Sequence, residues 1–127
     1  MIVVDASAMV GALVGPDPTV GARLSREPLL HGPQLLPLEV ASALRRFAVA
    51  GQLSQRGARL ALAKLAALPL TLHPHPQLMP RIWELRANLT IYDACYVAAA
   101  ETLGLPLITS DARLSRAPGP RCTIEVV

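Results

Sequence analysis

The sequence predicts a single α/β domain with a central parallel sheet and helices on both faces. Short apolar or β-branched runs alternate with helical segments along the chain, the pattern of strand–helix–strand crossovers. The 127 residues suit one domain, and the 52% hydrophobic content suffices for a core without disulfide or metal staples. No repeat, linker or low-complexity tract interrupts residues 1–127.

Ile2–Val4 is a β-branched run and reads as a buried strand. A helix over Ala6–Val14 follows, and Gly15-Pro16-Asp17-Pro18 stops it. Thr19–Ser25 reads as a short second helix, and Leu29–His31 as a short strand before Gly32-Pro33. Pro37 is expected to open a long helix over Leu38–Ala50, with Gly51 closing it. Ser54 caps a helix over Gln55–Leu68, where Leu60, Leu62, Leu65 and Leu68 fall near helical spacing. These two consecutive helices break the alternation, so the pair is expected to project from the sheet as a helical arm. Leu70–Leu72 reads as a strand, ended by Pro74 and Pro76, and Gln77–Ala87 as a helix that tolerates Pro80 in its first turn. Thr90 starts a helix over Ile91–Leu103 that Gly104 closes. Leu107–Thr109 is a strand, Asp111–Ser115 a turn or two of helix, and Thr123–Val126 a last strand.

Composition excludes several classes. No window holds the roughly 18 uninterrupted apolar residues of a membrane span. The first residues run straight into a strand without the basic and apolar regions of a signal peptide, so no membrane association and a cytoplasmic location are expected. Aromatics make up only 3% of the chain, too few for a surface that reads single strands by base stacking. Cys95 and Cys122 form no metal-type pair and read as buried small hydrophobes. The net charge of +3, carried by eleven Arg and one Lys, is compatible with a polyanionic partner.

The acids are the informative residues, because the chain has only four Asp and five Glu. Asp5 and Asp111 each follow a strand and precede a helix. Asp93 and Glu39 each fall in the first turn of an expected helix. In an open α/β sheet the carboxyl ends of the strands share one edge, and ligands bind in the crevice there. Each acid alone is explained by helix capping or by the helix dipole, and Thr90-Ile91-Tyr92-Asp93 has the outline of a capping box. Four acids at one crevice are different: two unit charges 4 Å apart repel by about 4 kcal/mol at an effective dielectric near 20. No Lys lies near them in sequence to relieve this, and a divalent cation does. An all-carboxylate site suits Mg²⁺ or Mn²⁺ rather than zinc, and such a site serves phosphodiester hydrolysis.

Four segments then resemble one family. They are Ile2-Val3-Val4-Asp5-Ala6-Ser7, Leu38-Glu39-Val40-Ala41-Ser42-Ala43-Leu44, the stretch from Leu89 through Asp93 to Glu101, and Leu107-Ile108-Thr109-Ser110-Asp111-Ala112-Arg113-Leu114. In this order and spacing the chain resembles the PIN-domain nucleases, and within them the VapC toxins of bacterial toxin–antitoxin pairs. The resemblance implies a single PIN domain over residues 1–127 that cuts RNA with an acidic quartet, Asp5, Glu39, Asp93 and Asp111. It implies that Asp5 and Asp93 are the principal metal ligands, that Asp111 assists directly or through water, and that Glu39 orients or activates a water. Ser7 and Thr109 match small hydroxyl positions beside the site, where a local turn bond explains them equally well. The resemblance also implies a homodimer and a cognate VapB-type antitoxin.

The remaining polar residues are read more simply. Arg86, Arg113 and Arg116 flank the acids in sequence; Arg86 and Arg113 are candidate RNA contacts, with a solvated face as the alternative reading and the favoured one for Arg116. Arg45-Arg46 is either an RNA contact or a solvated helix face. His73 and His75 are read as surface-turn residues, and Trp83 and Tyr92 as core or dimer packing. A haloacid-dehalogenase-type phosphatase needs an Asp where Ser7 stands, and a receiver domain needs a late Lys, whereas the only Lys is Lys64. The other reading is a non-catalytic, metal-stabilised module that binds RNA or protein.

Overall fold

The computed structural model describes residues 1–127. Its elements are β1 (Ile2–Val4), α1 (Ala6–Val14), α2 (Pro18–Leu24), β2 (Leu30–Pro33), α3 (Leu35–Val49), α4 (Gln55–Ala67), β3 (Leu70–His73), α5 (Met79–Glu84), α6 (Ile91–Leu103), β4 (Leu107–Thr109), α7 (Ala112–Arg116) and β5 (Ile124–Val126). A turn of 3₁₀ helix, Pro76–Leu78, leads into α5. All five strands are parallel, in the order β3-β2-β1-β4-β5. Strands are joined by helical crossovers as the sequence implies, with two helices in each of the first three connections (α1 and α2, α3 and α4, α5 and α6) and α7 alone in the last.

The strand order creates the site. From β1 the chain builds outward through β2 to β3, then returns to lay β4 on the opposite side of β1. The reversal leaves a crevice at the carboxyl ends of β1 and β4, the usual ligand site of such a sheet. The residues that directly follow these two strands therefore meet, although about a hundred residues separate them in sequence.

The three central strands are almost wholly apolar and buried, whereas β3 and β5 are half-exposed edges. Helix α6 packs across β1, β2 and β4 and buries every residue from Ala94 to Ala100. Four alanines in that run let it lie close to the sheet. Helix α1 packs against α2, α3 and α4. The arm formed by α3 and α4 is anchored on α1 through Val40, Ala43, Leu44, Ala61 and Leu65, while its tip around Val49 is exposed. The chain turns at that tip through Gly51, whose φ of +75° suits glycine, and Gly104 closes α6 in the same left-handed region.

Several boundaries differ from the sequence reading. Helix α3 starts at Leu35, not Leu38. Pro37 thus sits at the third helical position, where its missing N–H is not needed. The Leu35 N–H donates instead to His75 Nε2 at 3.0 Å, a partner forty residues away that local signals do not reveal. One result is that Glu39 lies in the second turn of α3 and not in the first. The segment Gln77–Ala87 divides into the 3₁₀ turn and a six-residue α5. Strands β2 and β3 run two residues and one residue further than expected, and β2 and β3 pair from Leu30–Leu70 to Pro33–His73.

Candidate active site

Asp5 follows β1 and is 6% exposed. Its backbone N–H donates to Ile108 O at 3.0 Å, which locks the end of β1 to β4. Its carboxylate caps α1: Oδ1 accepts from Ala8 N at 2.9 Å and from the Ser7 hydroxyl at 2.6 Å. Oδ2 accepts from the Thr109 hydroxyl at 2.5 Å. Ser7 Oγ in turn accepts from Ser110 N at 2.9 Å, and Thr109 Oγ1 accepts from Asp111 N at 3.0 Å. The two expected auxiliary hydroxyls are therefore both hydrogen-bonded to Asp5. The capping reading and the site reading of Asp5 hold together, because the cap is what orients the carboxylate.

Asp93 is half-buried near the start of α6. Its N–H donates to Thr90 Oγ1 at 3.1 Å, but the reciprocal bond of a capping box, from Thr90 N to the Asp93 carboxylate, is not made. The Asp93 carboxylate lines the crevice instead. Glu39, on α3, accepts from the Tyr96 hydroxyl at 2.7 Å. Asp111 caps α7 through Arg113 N at 2.9 Å and is gripped loosely by the Arg113 side chain, with both contacts at 3.3 Å.

All four acids line one cleft of about 440 Å³, together with Ser7, Ser42, Arg46, Phe47 and Tyr96. The cleft divides the acids electrostatically. Burial raises the pKa of Asp5, of Glu39 and of Asp93, and like charge adds to each shift: Asp93 acts on Asp5 and Glu39, and Asp111 acts on Asp93. Asp111 moves the other way, lowered by its hydrogen bonds from Arg113.

The donor set fits a hard divalent cation in type, since carboxylate and hydroxyl oxygens line the cleft and no His or Cys does. The repulsion among Asp5, Glu39, Asp93 and Asp111 is the electrostatic need that a cation meets. No three of the His, Cys, Asp and Glu side chains form a ready-made coordination sphere, so the match is of chemistry and shared cleft and not of preset geometry.

Sequence reasoning missed Tyr96 and left Arg46 undecided. Both carried a helical signal: Tyr96 is three residues after Asp93, and Arg46 is seven after Glu39, so each shares a helix face with an acid. Other expectations are corrected. Trp83 is 59% exposed and not core; the Arg86 guanidinium lies 4.5 Å from its ring centroid and donates to Trp83 O at 2.7 Å. Arg86 does not line the acidic cleft. Tyr92 is exposed as well. His73 and His75 are half-buried and engaged: His73 Nε2 lies 3.0 Å from His31 Nδ1, with the two rings stacked. Cys95 is buried and its thiol is pushed up to about 11 by burial, while Cys122 is only half-buried.

A parallel sheet with four carboxylates at its switch point defines a class, and the chain belongs to it: it is a member of the PIN-domain family, matched over residues 2–120. Among its relatives, Ribonuclease VapC9 of Mycobacterium tuberculosis is 46% identical over 127 residues, spanning 100% of this chain and 98% of that protein. Ribonuclease VapC1 of the same species is 44% identical, spanning 98% and 96%. The crystal structure of PAE2754 from Pyrobaculum aerophilum superposes with a TM-score of 0.74 at 27% identity, covering 98% of this chain and 83% of that one.

Proposed function

We propose that this protein is an endoribonuclease that hydrolyses RNA phosphodiester bonds with Mg²⁺, Mn²⁺ serving as substitute, and that it is the toxin of a VapBC-type pair. One observation carries the reading. Four carboxylates from four separate segments line one cleft, in a chain that is 44–46% identical over nearly its whole length to VapC ribonucleases.

In this reading Asp5, Asp93 and Asp111 hold the metal, and Glu39 orients a water. When bound, the metal supplies charge neutralisation at the scissile phosphate and acidifies a water to make the nucleophile. The protein supplies placement. Ser7 and Thr109 hold Asp5 in one rotamer, and Tyr96 holds Glu39. Burial keeps the carboxylates in a medium where their field is strong. A VapB-type antitoxin, a homodimer and a cytoplasmic site of action, where the RNA is, belong to the same reading. No helix is long and apolar enough to cross a membrane.

The test is cleavage of total cellular RNA by the partner-free protein in Mg²⁺ or Mn²⁺. Discrete fragments are expected, abolished by EDTA and by Asp93→Asn. The absence of a preset coordination sphere is the observation that favours the alternative, a non-catalytic binding module. Folded, metal-loaded wild type that leaves RNA intact would establish that alternative.

A further inference from the structure

A second, shallower groove of about 220 Å³ abuts the acidic cleft, lined by Asn88, Thr90 and Arg113 among others. Asp93 and Asp111 line both hollows. They form a shared wall, so the two make one track that passes over the acids. Each half of the track contains a single cation: Arg46 on the α3 side and Arg113 on the α7 side.

Neither arginine is committed elsewhere. Arg46 has only one side-chain bond, to Ser42 Oγ at 3.4 Å. The Arg113 side chain is 85% exposed and touches Asp111 at 3.3 Å. By contrast, Arg23 and Arg81 are each locked on a carboxylate by two-pronged contacts of 2.7–3.1 Å and are structural. A polyanionic strand crossing four carboxylates needs positive charge beside the crossing point, and the guanidinium fork matches phosphate oxygens.

We propose that Arg46 and Arg113 grip the backbone phosphates on either side of the scissile one, so that the RNA strand runs from α3 over the Asp93–Asp111 wall to α7. Arg113 exchanges its loose hold on Asp111 for a phosphate when the strand enters. This inference rests on the ribonuclease reading for its substrate, and its test separates the two.

The experiment measures binding of a labelled, unpaired RNA oligonucleotide against salt concentration, in an Asp93→Asn background that blocks turnover. Steady-state cleavage is measured in the otherwise wild-type background. Arg46→Ala and Arg113→Ala are each expected to weaken binding roughly tenfold and to lower the salt slope by about 1, as one lost phosphate contact requires. In cleavage they are expected to raise KM far more than they lower kcat, and Arg46→Ala, which touches no ligand carboxylate, is expected to leave Mn²⁺ affinity unchanged. Arg59→Ala, the same charge change at an exposed position on α4 outside the track, is the control. Arg46→Lys and Arg113→Lys are expected to restore the slope but only part of the affinity. If the alanine variants match Arg59→Ala in slope and KM, the track is overturned even though wild type cleaves. If wild type does not cleave yet the slopes fall as expected, the track stands as a binding surface and the ribonuclease reading fails.

Discussion

The Tyr96 hydroxyl donates to Glu39 Oε1 at 2.7 Å and so ties α6 to α3 inside the cleft that both residues line. Tyr96 is 2% exposed, so the bond is sheltered from water. Removing the hydroxyl leaves the carboxylate with one fewer donor and a free rotamer. Tyr96→Phe is expected to lower stability by about 1.5–3 kcal/mol, as for a hydrogen bond to a charged group. It is expected to lower kcat by roughly 10- to 100-fold through misplacement of Glu39, with KM little changed. Thermal unfolding and steady-state kinetics on one preparation check both; an unchanged kcat would reduce Tyr96 to a packing residue.

The Asp93 carboxylate is raised by burial and by its neighbour Asp111, so its charge opposes folding in the absence of metal. Asp93→Asn keeps the shape and removes the charge. In EDTA the variant is expected to melt at the same temperature as wild type or higher. In Mg²⁺ wild type is expected to gain stability by ligand linkage, whereas the variant gains little and loses cleavage. Melting curves with and without metal decide this. A variant that still gains fully from Mg²⁺ would remove Asp93 from the ligand set.

His31 is buried on β2, with its Nε2 lacking any partner and its Nδ1 against His73 Nε2 on the edge strand β3. One ring nitrogen must donate and the other accept across this contact. Burial, then the charge of His73, holds the His31 pKa below its ordinary value of 6.5. A group depressed in this direction binds a proton more readily in the unfolded chain. Its contribution to stability is therefore present above the ordinary value and lost as pH falls below it. The raised carboxylates Asp5, Glu39 and Asp93 act with the opposite sign, so the His31 effect is read as a difference. Wild type is expected to lose stability relative to His31→Leu between about pH 7 and 5. Parallel denaturation curves across that range would refute the assignment.

Arg81 clasps Glu101 with Nε–Oε2 at 2.7 Å and Nη2–Oε1 at 3.1 Å, and also donates to Gly119 O at 2.9 Å. Glu101 Oε1 accepts from Arg121 N as well, so the pair fastens the segment before β5 to α5 and α6. Burial works against the Glu101 charge, but these bonds overcome it and hold its pKa below the ordinary 4.5. The stabilisation is thus present above that value and lost as pH falls through the lowered one. Glu101→Gln is expected to cost about 1–3 kcal/mol at neutral pH and to leave Mn²⁺ affinity unchanged, since the pair lies outside the cleft. Urea denaturation and metal titration check the two halves.

Much of this molecule was legible in its residues. The alternation of strand and helix, the caps at Asp5, Ser54, Thr90 and Asp111 and the closing Gly104 are local signals, and the structure carries each of them. The four acids stood out because acids are few. The start of α3 was not legible, because its first N–H is satisfied by His75, a residue of the β3–α5 connection. Of the two readings of Trp83, core and dimer packing, only the first is excluded: a large aromatic is usually buried, but here α5 turns it outward and Arg86 covers one face.

The sequence by itself determined which segments become strands and helices, and placed an acid near the start of each of four helices. Both depend on contacts within a few residues. Only the tertiary structure decided that these acids share a cleft. That outcome depends on β4 inserting beside β1 and not beyond β3, which brings Thr109 and Asp5 together across 104 residues. Strand order is settled by how the whole apolar surface is best covered, with α6 lying over β1, β2 and β4. No local pattern encodes that choice. The same burial then raises three of the carboxylates, so the charge state of the site is a property of the packed fold and not of the residues alone.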